Sequence, residues 1–118
     1  MASLNMLGPY SLTEGEIDKR IRSGVPGNYA YGHQDKKGIF IVQYVGRSDT
    51  DLNSRIKHGI GKYSMFKFSY ASSAKEAFER ECKNYHDFGG DRWLDNEMHP
   101  DRPKNTDYEC PICTIFDD

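Results

Sequence analysis

The sequence predicts one α+β domain with a small, mainly antiparallel sheet of three strands, flanked by helices and followed by an irregular carboxy-terminal tail. Three observations carry that prediction. Strand-like runs at 29–33 and 38–45 flank a polar Asp35-Lys36-Lys37-Gly38 turn, helix-start signals precede near-helical apolar spacing, and the chain turns charged and proline-rich after residue 91. The 118 residues suit a single domain, and 36% hydrophobic with 29% charged residues and fifteen aromatics describes a folded chain.

Ser11-Leu12-Thr13-Glu14 has the form of a capping box, and Leu12, Ile17 and Ile21 recur at near-helical spacing until Gly24 and Pro26 stop the run. A short helix is expected there. In the following hairpin the second strand, Ile39-Phe40-Ile41-Val42, is apolar at every position, which predicts a central strand covered on both faces. Asp49, Thr50 or Asp51 can cap a helix carrying Leu52, Arg55, Ile56 and His58, ended by Gly59, with Arg55 and His58 on one face. Residues 63–70 alternate in Phe66, Phe68 and Tyr70 as a third strand. Ser73-Ala74-Lys75-Glu76 then opens a long helix through Ala77, Phe78, Glu81, Cys82 and Tyr85 to about Phe88, where Gly89-Gly90 breaks it.

The net charge is -2, yet residues 1–70 carry ten basic and six acidic side chains, whereas 71–118 carry six and twelve. Local field rather than total charge steers a polyanion. Arg47, Arg55, Lys57, Lys62 and Lys67, interleaved with Tyr44, Tyr63, Phe66 and Phe68, form the candidate nucleic-acid surface. No apolar run reaches the ~18 to 20 residues of a membrane helix, and no leader-like segment opens the chain, so no membrane contact and a cytoplasmic location are expected.

Two glycine-marked tyrosine tripeptides carry the chemistry: Gly27-Asn28-Tyr29 and Tyr44-Val45-Gly46. Arg55, His58, Glu81 and Asn96 follow. Glu81 lies between Phe78 and Tyr85 on the apolar stripe of its helix, where a carboxylate needs a partner. Phosphodiester hydrolysis requires a water with a base beside it, positive charge on the non-bridging oxygens and a cation near the leaving oxygen. In this order and spacing, residues from about 26 to about 100 resemble the GIY-YIG nuclease family.

The resemblance implies a metal-dependent endonuclease cutting DNA ahead of RNA. Tyr29 and Tyr44 would stand beside the scissile phosphate, with Tyr31 as an alternative phenol because it shares a strand face with Tyr29. Arg55 would contact the phosphate, His58 would assist one helical turn later, Glu81 would hold Mg²⁺ or Mn²⁺, and Asn96 would complete the site. Arg47 could also reach the phosphate. The base would be Tyr29 as a phenolate, or through a relay from Tyr44 or His58, with cations lowering its pKa. Double-strand cutting would call for a homodimer or a partner protein. The competing expectation is a catalytically inactive nucleic-acid-binding module of the same fold.

A second constellation rests on spacing alone. Cys82 and His86 are four apart on the long helix, and Cys110-Pro111-Ile112-Cys113 supplies a knuckle, together a structural Zn²⁺ candidate that would staple the tail, with His99 as an alternative fourth ligand.

Overall fold

The computed structural model describes residues 4–113 and 115. It is an α+β fold built on a four-stranded antiparallel sheet in the order β1-β4-β2-β3. The strands are β1 (Leu7–Ser11), β2 (Gly27–Gln34), β3 (Phe40–Ser48) and β4 (Met65–Tyr70). The helices are α1 (Glu14–Arg20), α2 (Leu52–Ile56) with a 3₁₀ turn at Lys57–Gly59, α3 (Ala74–Asp87) and the single turn α4 (Gly90–Trp93). Among the described residues no helix is long and apolar enough to cross a membrane.

The fourth strand corrects the expected three. Pro9 lies within this strand, and proline is tolerated on a sheet edge, where its missing N–H faces outward. Tyr10 anchors this strand by packing on Phe66 and Phe68, with ring centroids 5.7 and 6.1 Å away. Ser11 consequently belongs to β1 and does not cap α1. The cap is Thr13, whose hydroxyl accepts from Glu16 N–H.

A second correction concerns the apolar strand, which is an edge and not the centre. Strand β2, hydrogen-bonded on both sides, is the central one. Of the run in and before β3, Phe40 and Val42 pack toward the layer of Ala30, Val45, Tyr85 and Leu94. Ile39 and Ile41 remain 56% and 39% exposed. Alternation, hidden in the sequence by four consecutive apolar residues, is therefore present in space. The hairpin turn is built as expected: Asp35 Oδ1 accepts from the N–H groups of Lys37 and Ile39, and Gly38 takes φ +82°.

Helices α1 and α2 cover one sheet face, over Tyr29, Tyr31, Phe66 and Phe68, and α3 covers the other. The α3 cap is the one the sequence indicates, with Ser73 Oγ accepting from Glu76 N–H at 3.1 Å. Asn28 ties the central strand to that helix by donating to Ala77 O at 2.8 Å.

Candidate functional site

An open cavity of about 590 Å³ lies at the β3 edge, between the tip of the aromatic layer, α3 and the stretch 95–101. Tyr29, Tyr44, Arg55, Glu81 and Asn96, drawn from five separate segments, all line it. His58 does not. It falls in the 3₁₀ turn after α2 and is exposed there.

Why Tyr29 reaches the cavity is a matter of one missing Cβ. Tyr29 pairs with Gly46 across β2 and β3, and a Cβ on Gly46 would sit 2.4 Å from the Tyr29 Cζ and hydroxyl. Only glycine lets the phenol lie across β3 to the sheet edge. Tyr31 is engaged elsewhere: its ring fills the space above Gly59 and its hydroxyl donates to Ile56 O at 2.9 Å. Of the two phenols on this face of β2, Tyr29 is the one that faces the cavity. Its ring centroid lies 6.4 Å from that of Tyr44, nearly stacked.

Burial raises the Tyr29 pKa, the neighbouring Tyr31 and Tyr44 hydroxyls add to the rise, and Arg55 offsets only part of it. Tyr44 is also raised, first by burial and then by Glu81. This corrects the expected phenolate: desolvation outweighs the cation field, and both phenols are neutral at pH 7.

Glu81 is 7% exposed, and burial pushes its carboxyl up to about 7 despite the Arg47 guanidinium beside it. Arg47 Nη1 donates to Glu81 Oε1 at 2.5 Å and its Nε to Asp49 Oδ1 at 2.9 Å, while the guanidinium lies 5.2 Å from the Phe78 ring centre. Burial disfavours the Arg47 charge, but the two carboxylates more than offset that and raise its pKa. Arg47, which the sequence placed on a basic surface, is thus the partner of the buried glutamate. The cavity sets five carboxylates, Asp49, Glu81, Asp95, Glu97 and Asp101, against two guanidiniums. A lone polyanion is poorly matched to that excess, whereas a divalent cation is well matched.

The remaining basic candidates, Lys57, Lys62 and Lys67, do not line the cavity. Lys57 Nζ pairs with Asp18 Oδ1 at 2.8 Å, Lys67 lies 5.3 Å over the Phe40 ring and Lys62 is exposed.

Asn96 has a role that its turn-like sequence context did not reveal. Its Oδ1 accepts from Val45 N–H at 3.0 Å and its Nδ2 donates to Val45 O at 2.8 Å, replacing a missing neighbour strand on the β3 edge. Asp95 N–H donates to Gln43 O at 2.6 Å, and Tyr63 donates to Asp95 Oδ2 at 2.8 Å. Asn96→Ala leaves a buried N–H and carbonyl of β3 unpaired, so a loss of about 2 to 3 kcal/mol is expected in urea unfolding.

Beyond the cavity, His86, His99, Cys110 and Cys113 bring their ligand atoms within 4.8 Å of one another, and this group could hold a metal such as zinc. A tetrahedral site with bonds of about 2.0 to 2.3 Å spaces its ligands roughly 3.3 to 3.8 Å apart, so a small inward shift closes the cluster. Both histidines take part, and Cys82 does not belong to the set. Cys82 is fully buried beside Cys110, and burial pushes its thiol up, so it stays protonated. Burial opposes ionisation of Cys110 too, but N–H groups of Ile112 and Cys113 and the neighbouring thiols lower its pKa on balance. That is the behaviour of a knuckle sulfur.

Compared with known proteins, the chain matches no family model, no curated protein and no solved structure.

Proposed function

We propose that the protein is a GIY-YIG-type endonuclease, hydrolysing phosphodiester bonds in DNA, or in RNA as the second choice, with Mg²⁺ or Mn²⁺ at Glu81 and Zn²⁺ in the His86, His99, Cys110, Cys113 cluster. The observation that supports it is convergence: two phenols, a guanidinium and a buried carboxylate face one cavity from distant stretches of chain. The divalent ion fits this donor set, since Glu81 is a hard oxygen ligand amid a carboxylate excess, and Mg²⁺ binds through one or two carboxylates while keeping its waters. When bound, the ion supplies charge for the leaving oxygen and polarises the phosphate.

The chain's own residues do the rest. Arg55 neutralises a non-bridging oxygen. Water forms the new bond to phosphorus as the bond to the leaving oxygen breaks. Tyr29, a neutral phenol, would orient that water, whose proton would pass to bulk solvent at the open side of the cavity. Asn96 holds the β3 edge on which Tyr44 and Arg47 are mounted.

Plasmid nicking with Mg²⁺ or Mn²⁺ tests the reading against an inactive binding module. Cleavage by the parent protein, lowered about 10²-fold or more in Tyr29→Phe, is the expected result. Nucleic-acid binding without cleavage by the parent would identify the module.

A further inference from the structure

Residues 95–101 form one whole side of the cavity, yet the stretch contains no helix or strand. Its shape is therefore set by where its ends are tied. The near end is fastened to the sheet through Asn96 on Val45, Asp95 on Gln43 and Tyr63 on Asp95. At the far end stands His99, which lines the cavity and also belongs to the His/Cys cluster.

The His99 Nε2 atom lies 3.2 Å from His86 Nε2 and 3.4 Å from Cys113 Sγ. His86 projects from α3, the helix that also carries Glu81. The Tyr85 ring meets both imidazoles edge-on, at 5.4 Å for His86 and 5.3 Å for His99, which seats the cluster against the core side of that helix. An ion shared by His86 and His99 would thus lock the irregular wall to the same rigid element that presents the cavity's buried carboxylate.

We propose that Zn²⁺ in the cluster positions this side of the cavity through His99, so that the metal shapes the cavity and does more than fasten the tail. His99 is a positioning residue. The inference rests on the metal-binding reading of the cluster and is independent of whether the cavity hydrolyses anything.

Digestion by a glutamate-specific protease reads the wall directly, because Glu97 is exposed within it, Glu109 lies in the tail, and Glu76 and Glu79 lie on α3. The full chain is compared zinc-loaded, after chelation, and after addition of Zn²⁺ alone. Cleavage after Glu97 is expected to accelerate about tenfold or more on zinc removal, with the α3 glutamates still protected, and to be restored by stoichiometric Zn²⁺. Cys113→Ser, a change outside the cavity lining, should reproduce the zinc-free pattern. Three results would overturn the proposal: less than one zinc retained per chain, unchanged cleavage after Glu97 while Glu109 becomes labile, or cleavage of α3 in step with Glu97. Absence of Mg²⁺-dependent nicking with the Glu97 response intact would instead remove the hydrolytic reading alone.

Discussion

Glu81→Gln is expected to lower Mg²⁺-dependent nicking by on the order of 10³-fold, because it removes the anionic oxygen on which the divalent ion depends while keeping the side chain's shape. The same variant separates binding from folding. Glu81 titrates at about 7 in the folded chain against an ordinary 4.5, so the native state holds this proton more tightly than the unfolded state does. The stability it contributes is complete below about pH 4.5 and is lost as pH rises through about 7. Metal-free parent protein should therefore lose stability across that window from this group, and Glu81→Gln should remove that part of the slope. Divalent binding runs the other way, since the ligand must be deprotonated, so affinity for Mn²⁺ should climb through pH 7. An Mn²⁺ affinity that ignores both pH and the substitution would rule Glu81 out as the ligand.

Arg47→Met has a large and pH-dependent expected effect on the fold itself. Removing one partner of a buried pair leaves an uncompensated charge, which costs roughly 3 to 5 kcal/mol when the remaining group cannot neutralise. Here it can. Glu81 takes up a proton once the guanidinium that lowers its pKa is gone. The loss should accordingly be about 2 to 3 kcal/mol at pH 8 and shrink toward pH 5, as denaturant midpoints would report. A loss of equal size at both pH values would trace the effect to the stacking of Arg47 on Phe78 instead of to charge.

How far the sequence could be read depended on whether a residue's partner was local or distant. The hairpin turn, the Ser73 cap and the extent of α3 were legible because Asp35, Gly38, Ser73 and Gly89 act within a few residues of themselves. Tyr29, Tyr44, Arg55 and Glu81 could be singled out, and the fold does gather them at one cavity. Strand β1 could not, since Gly8-Pro9 hides an edge whose warrant is Tyr10 meeting Phe66, 56 residues on.

Side-chain pairings at a distance were the other blind spot. Spacing favoured Cys82 over His99 as the fourth ligand beside His86, Cys110 and Cys113, but Cys82 is sealed in the core and the irregular chain brings His99 to the cluster instead. Arg47 could be read as a basic side chain within reach of the site, and it does line the cavity, but its pairing with Glu81 was not legible. Arg55 lines the cavity while His58, three residues on and already in the 3₁₀ turn, is exposed outside it, and sequence spacing could not separate the two.

Strand order also orders assembly in time. The β2–β3 hairpin closes across a handful of residues, whereas Leu7 of β1 must find Phe68 of β4 across more than half the chain. Closing so wide a loop costs entropy that contacts repay only once β4 is already seated on β2. The amino-terminal strand is therefore expected to dock last, and truncating it should raise the unfolding rate while leaving the refolding rate nearly unchanged.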